Sequence, residues 1–219
     1  MLRSEVAPLL RRVAGVTLPE VVTAAMVLGI IIGSVSAIYS TAMQTWYRGA
    51  SETYAEQKAS LAVERMRPDL QQGMSVTPAA SPYDDVCIAI QAPAKTYDSG
   101  QGVYLNQLAV DTEGHPYLVQ GDYVVYYRGD GDGNISLTGD RVWRRMVRAS
   151  DGAILKEQVI ADHVVDNPLT GTGSPKPMFV YWPDIYRLRS VEVTVTVQET
   201  YGHRTATKTM NGELALRNN

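Results

Sequence analysis

Between Val21 and Tyr47 the chain carries no charged side chain, and from Arg48 onward charges return at short intervals. The most apolar part, Val21 to Ile38, reads VVTAAMVLGIIIGSVSAI. A helix needs about 20 such residues to cross about 30 Å of hydrocarbon, so this run predicts a membrane span. The helical pattern then continues. Met43, Tyr47, Ala50, Tyr54 and Leu61 recur at spacings of three, four and seven, with Arg48, Glu52, Glu56 and Lys58 between them. That spacing predicts one stripe turned toward a partner surface and a solvated face holding Glu52, Glu56 and Lys58. Pro68 predicts a kink or break near Arg67, and Gly73 a stop.

From Met74 the period changes to two, as strands require. Strands are predicted at 86–92, 103–110, 117–120, 123–128, 142–148, 153–160, 178–182 and 191–199. Loops are predicted at 81–85, 92–101 and 167–177 from their Pro, Gly, Ser and Asp content. The plainest strand is Val191-Glu-Val-Thr-Val-Thr-Val-Gln198, whose alternation predicts one buried and one wet face. The expected fold class is α+β, a long N-terminal helix against an antiparallel sheet. Its expected divisions are 1–15, a polar head; 16–45, the spanning helix; 46–73, its extramembrane half; and 74–219, a β-rich domain.

Composition narrows the chemistry. Of 219 residues, 45% are hydrophobic and the net charge is −3, which excludes a globally basic nucleic-acid coat and a disordered chain. With Cys87 the single cysteine, neither an intrachain disulfide nor a cysteine-based zinc site is possible. Its apolar neighbours make Cys87 a small core residue rather than a nucleophile. No P-loop, no G-x-S-x-G elbow and no dinucleotide fingerprint occurs. His115, His163 and His203 stand apart in sequence. Asp162-His163 lacks a serine placed to complete a triad, and an enzyme anchored outside the membrane is the weakest of the functional classes.

Ahead of the span, Arg3, Arg11 and Arg12 outnumber Glu5. Positive charge on that side predicts a cytoplasmic N-terminus and an exported C-terminal domain, single-pass in the inner membrane. The junction Gly15-Val16-Thr17-Leu18-Pro19-Glu20 resembles the class III signal of type IV prepilins and type II secretion pseudopilins. In that signal a basic leader ends in Gly and the fifth residue after it is Glu. Gly15, Thr17, Leu18 and Glu20 match, while Val16 replaces the usual Phe and Pro19 a more typical aliphatic residue. The resemblance implies that prepilin peptidase cleaves between Gly15 and Val16, that the new Val16 amine is methylated, and that Glu20 pairs with such an amine on a neighbouring subunit. A carboxylate at the head of an apolar run is costly unless paired, which suits that role. Thr17 and Glu20 also have the spacing of a capping box with Pro19 in the first turn, and the two readings are compatible.

Two further segments are similar to the same family. Leu61 to Gly73 resembles the end of the long helix in W-type minor pilins and J-type minor pseudopilins, and the pair 123–128 and 141–145 resembles a hairpin there. Together these features imply a pilin-like fold and a non-catalytic minor pilin or pseudopilin at the tip or initiating complex of a type IV pilus or secretion pseudopilus. Its partners would be other pilins or pseudopilins, prepilin peptidase and the inner-membrane assembly platform. A DNA-uptake minor pilin is the alternative within the family.

The remaining candidates are local. Ala25, Gly29, Gly33 and Ala37 recur every four residues and suit close helix packing in a filament core, against a plain lipid-facing helix. Asp130-Gly-Asp-Gly-Asn134 with Asp140 offers oxygen ligands for Ca²⁺, the one cofactor considered. Counting from Gly133 as an EF-hand glycine places Arg128 and Gly139 at the end positions, where neither supplies a carboxylate, so a Gly-rich hairpin is the competing reading. Arg141, Arg144, Arg145 and Arg148 lie beside Trp143 and offer a nucleic-acid contact. Strand alternation places Arg141 and Arg145 opposite to Arg144 and Arg148, which divides that contact and leaves partner-subunit acids as the other reading.

Overall fold

The computed structural model describes residues 16–110, 112–114, 116–182 and 189–216. Two units compose the chain, one ending at Trp46 and the other running from Tyr47 to Asn219. Helix α1 (Leu18–Gln72, 55 residues) contributes to both.

In the first unit α1 is long and apolar enough to cross a membrane, and its side chains from Leu18 to Ala42 are all exposed. Four of its hydroxyls bond back to the helix's own carbonyls. Thr23 Oγ1 donates to the Pro19 carbonyl at 2.8 Å, Ser34 Oγ to Ile30 at 2.8 Å, Thr41 Oγ1 to Ala37 at 3.0 Å and Thr45 Oγ1 to Thr41 at 2.9 Å. Hydroxyls returned to the carbonyl four residues back need no water, which is the condition for placing them in hydrocarbon.

The second unit is α+β, with the last part of α1 packed on antiparallel sheets. One sheet has the order β1 (Ser75–Pro78), β2 (Cys87–Pro93), β7 (Gln120–Gly129), β8 (Arg141–Val147), β9 (Ile154–Asp162). Between β2 and β7 the chain makes two hairpins, β3 (Lys95–Asp98) with β4 (Val103–Asn106) and β5 (Leu108–Val110) with β6 (Pro116–Leu118). A further sheet is built on β12 (Ser190–Tyr201). Along one edge it carries β13 (Arg204–Ala215); its other partners are β10 (Val164–Val165) and β11 (Phe179–Trp182), which pair with successive parts of β12.

Five expectations from the sequence are corrected here. The buried stripe of α1 is Ser51, Ala55, Ala59, Ala62, Val63, Met66 and Leu70, whereas Tyr54 and Leu61 are half exposed. Small side chains rather than large ones face the sheet because they let the helix axis approach it. A Cβ added to Gly212 of β13 would stand 2.6 Å from Val63 Cγ1, so glycine is required for that approach. Second, Pro68 does not break α1, which continues to Gln72. Leu70 is fully buried and Asp69 is tied to the first sheet, and this packing outweighs the lost helical hydrogen bond. Third, Lys58 is not on a free solvated face but in a charged cluster described below.

Fourth, the expected strand 103–110 is divided between β4 and β5, and the expected loop 92–101 contains β3. The hairpin β12–β13 was not anticipated in its second strand. In β13 the inward positions are Ala206, Lys208, Met210, Gly212 and Leu214, a weakly apolar alternation, and Gly202 at φ 62° makes the two-residue turn before it. Fifth, β12 has no wet face over its middle: Thr194 and Thr196 are as buried as Val193 and Val195. The segment 166–177 lies over them. Asn167 Nδ2 donates to the Thr194 carbonyl at 3.2 Å, and Thr196 Oγ1 donates to Asn167 Oδ1 at 2.8 Å.

One apolar core joins these elements: Met66 and Leu70 of α1, Ile88, Ile90, Tyr126 and Val142 of the first sheet, and Phe179, Val191, Val193, Val197 and Leu214 of the second. Each such side chain fully removed from water contributes about 1.5–3 kcal/mol before the entropy of ordering is charged.

Candidate functional site

At the start of α1, Thr17 and Glu20 form a local pair. Glu20 Oε2 accepts from the Thr17 amide at 2.8 Å and from Thr17 Oγ1 at 2.8 Å, while the Thr17 carbonyl accepts from the Glu20 and Val21 amides at 3.0 and 3.2 Å. The carboxylate thus satisfies the amide of Thr17, the residue that precedes the helix, although the threonine hydroxyl bonds Glu20 itself instead of capping an amide. Both residues are exposed, as is Val16. Gly15 and the rest of the head, 1–15, lie outside the described residues, as does His115. Gly29 and Gly33 meet nothing within 4 Å, and Ala25 and Ala37 are exposed, so the small-residue stripe is an open face.

The Asp130 turn is closed by its own carboxylate. Asp130 Oδ1 accepts from the amides of Asp132 at 3.0 Å and Asn134 at 2.9 Å, and Oδ2 from Asn134 Nδ2 at 3.2 Å. These bonds, those from Asn134 foremost, hold the Asp130 carboxyl below its ordinary range. Asp140 lies 3.9 Å from Arg141 Nε. Asp130, Asp132 and Asp140 are not among the acids and imidazoles that converge on one point among the described residues. The geometry of the turn is that of an Asx-closed hairpin between β7 and β8.

The four arginines are separated. Arg141 Nη1 donates to the Gly131 carbonyl at 3.1 Å. Arg144 Nε reaches Asp69 Oδ2 of α1 at 2.8 Å and the Tyr126 hydroxyl at 3.1 Å. On the opposite face Arg145 Nε meets Glu157 Oε1 at 2.8 Å and its guanidinium lies 4.9 Å from the Tyr127 ring centre. The Tyr127 hydroxyl, first, and Arg145 keep Glu157 ionised below its ordinary range. Arg148 Nη1 pairs with Asp151 at 3.0 Å. Each of the four guanidinium groups therefore has a carboxylate within 4 Å, Arg141 the most loosely, and the four do not share one face of the sheet. Cys87 is buried, and burial pushes its thiol up to about 11, which removes the thiolate a nucleophile needs.

The cluster that the sequence concealed joins Lys58 of α1 with Asp162 at the end of β9, His163 beside it and Glu199 of β12. Lys58 Nζ lies 2.7 Å from Asp162 Oδ1 and in direct contact with Glu199 Oε1, while His163 Nδ1 lies 2.9 Å from the same Glu199 oxygen. Asp162, His163 and Glu199 converge closely enough to hold a metal ion. Lys58, however, already supplies the cation, so the arrangement fits an internal ion pair that pins α1 to both sheets. His163 reaches it from a left-handed backbone conformation, φ 56°. The only signal in the sequence is the adjacency of Asp162 and His163, since Lys58 and Glu199 are distant from them along the chain.

These groups predict the acid limb of stability. The Lys58 hydrogen bond lowers Asp162 from its ordinary 3.8, and Lys58 and His163 lower Glu199 from 4.5 against the opposing effect of burial. Depressed carboxyl groups stabilise the fold above their unfolded values and lose that contribution as pH falls through the folded ones. Stability should therefore decline below pH 4.5, and Lys58→Met should flatten the decline. Thermal unfolding of the detergent-solubilised chain between about pH 6 and pH 3 measures this. Identical slopes for both proteins would show that Lys58 does not carry it.

Comparison with protein-family models, curated proteins and solved structures found no match in any of the three. The long apolar N-terminal helix and antiparallel sheets are compatible with a pilin-like fold.

Proposed function

We propose that this chain is a membrane-anchored, non-catalytic subunit of a type IV pilin-like filament, a minor pilin of W type or a minor pseudopilin of J type. The observation that carries the proposal is the dual character of α1. Its first part is apolar and exposed from Leu18 to Ala42, and its last part supplies a face of the core of the second unit. Such a helix serves as a membrane anchor before assembly and as a packing element after it, with Ala25, Gly29, Gly33 and Ala37 permitting close approach of neighbouring helices. The head is extracytoplasmic, and the partners are other pilins or pseudopilins, prepilin peptidase and the inner-membrane assembly platform. The DNA-uptake reading is the weaker one, because Arg144, Arg145 and Arg148 are engaged with carboxylates.

Mass spectrometry of protein isolated from assembled filaments tests the proposal. The expected N-terminus is a methylated Val16. Retention of Met1 in assembled material would overturn it.

A further inference from the structure

The turn between β12 and β13 is seated on α1 by aromatic side chains. The Tyr201 ring lies 5.9 Å from that of Tyr47 and 5.8 Å from that of Tyr54, centre to centre. Gly202, the next residue, comes so close that a Cβ there would stand 3.2 Å from two carbons of the Tyr47 ring. Both contacts lie within the second unit. They fix the two-residue turn Gly202-His203 at the level of Tyr47 on α1.

Where that level falls follows from the chain. Tyr47 is the last residue of the run without charge, and Arg48 is the first charged residue after it. Counted from Val21, about 20 residues of helix cross the hydrocarbon, and about 6 Å of headgroups takes up about four more. Tyr47 therefore stands within one helical turn of the headgroup layer when α1 spans a membrane. Rings with a polar tip are favoured at that depth, and Trp46 and Tyr54, 57% and 49% exposed, lie to either side of Tyr47 in sequence.

The same end of the hairpin is cationic. Arg204 stands opposite Tyr201 in register, and His203 and Arg204 are both exposed. From Thr200 to Gly212 the chain carries Arg204 and Lys208 and no acid. On α1 the Arg48 side chain is 76% exposed. Glu52 is shared between Arg48 and Lys208, while Glu199, the nearest acid of β12, is engaged by Lys58 and His163. Arg48, Arg204 and Lys208 thus have one carboxylate, that of Glu52, to set against them. An excess of cations beside tyrosines at the end of a membrane span is complementary to phosphate-bearing headgroups.

We infer that the β12–β13 turn rests on the membrane surface, with Arg48 and Arg204 toward anionic phospholipid headgroups and the Tyr47–Tyr201 pair at their outer rim. Lipid is the occupant because the helix that carries Tyr47 is the one that enters the bilayer, so headgroups lie next to the turn as soon as the chain is inserted. The inference rests on α1 as a membrane span and not on the filament reading: neither Val16 processing nor the pairing of Glu20 enters it.

The test uses the full chain in vesicles of phosphatidylcholine and phosphatidylglycerol, with part of the phosphatidylcholine carrying a nitroxide on its headgroup. A fluorophore is attached at His203→Cys or, as a control, at Asn211→Cys, an exposed position about 25 Å of extended strand away. Cys87 is buried, so the label goes to the introduced thiol. Quenching by the nitroxide should be at least about threefold stronger at position 203 than at position 211. Replacing phosphatidylglycerol by phosphatidylcholine should weaken the contact about fivefold, and Arg204→Glu should do the same in the original vesicles. The lipid exchange needs no substitution at the contact, so it reads the charge dependence even if Arg204→Glu disturbs the turn. Flotation of the same samples after alkaline extraction reports whether α1 spans. Failure to float overturns the span and the contact together. Flotation with equal quenching at the two positions overturns the contact alone. Quenching at position 203 that is indifferent to phosphatidylglycerol overturns the recognition of anionic headgroups.

Discussion

Asp69→Ala is expected to destabilise the second unit by about 2–3 kcal/mol, more than any other single loss of charge among the described pairs. Asp69 Oδ2 accepts from Arg144 Nε at 2.8 Å and from the Tyr126 hydroxyl at 2.5 Å. Tyr126 is fully buried, and its hydroxyl is pushed far up, first by burial and then by Asp69, so it remains a neutral donor. Arg144 keeps only 18% of its side chain in contact with water and Asp69 25%. Removing the carboxylate leaves a guanidinium and a phenol facing each other as donors with one acceptor fewer, and the desolvation already incurred is no longer compensated. It also releases the last turn of α1, where Pro68 has removed a helical donor. Urea unfolding of the detergent-solubilised chain measures the loss. An apolar pair, Asp69→Leu with Arg144→Leu, should recover most of it, because no unpaired charge then remains. A single-variant loss below about 0.5 kcal/mol would place the pair with ordinary surface ion pairs.

The same triad marks what the sequence could and could not convey. Amphipathic patterning located α1, the change of period at Met74 and most strands of both sheets, because burial imposes a period on a chain wherever one side is wet. It mistook the buried stripe of α1, since Ser51, Ala55, Ala59 and Ala62 attract attention less than Tyr54 and Leu61 yet allow the closer contact with the sheet. It passed over β13, whose inward Ala206, Lys208 and Gly212 are weakly apolar and derive their place from the full-length pairing with β12. Long-range ion pairs leave no local trace. Lys58 with Glu199, and Arg144 with Asp69, are joined only after the helix has been laid across the sheets. Local rules treat such charges as solvated. The Thr194 position failed for a related reason: alternation in β12 predicted water on its second face, but the segment 166–177 returns over it and leaves a cavity instead. By contrast, the junction at Thr17 and Glu20 was readable because its bonds span three residues.

Glu20→Gln is expected to leave α1 and its membrane insertion intact while reducing incorporation into filaments at least about tenfold, equivalent to roughly 1.4 kcal/mol of lost subunit attraction. Within the isolated chain the carboxylate makes only local contacts, the Thr17 amide and hydroxyl at 2.8 Å each, and it is exposed. A glutamine carbonyl can accept from the same amide, so the capping role survives the substitution at a cost of a few tenths of a kcal/mol. Charge is what the substitution removes. In hydrocarbon a carboxylate at the head of Val21 to Ile38 is tolerated when a cation compensates it, and on the proposed assembly the Val16 amine of a neighbouring subunit is that cation. Lys and Arg do not offer an internal substitute, because none occurs between Glu20 and Arg48. Membrane fractionation reads insertion and copurification with partner pilins or pseudopilins reads assembly, from the same cells. Parent and variant should fractionate alike and differ in copurification. If the variant copurifies as well as the parent, the Thr17 bonds are the whole role of Glu20, and the attraction that orders the filament must come from the small-residue face at Ala25, Gly29, Gly33 and Ala37 instead.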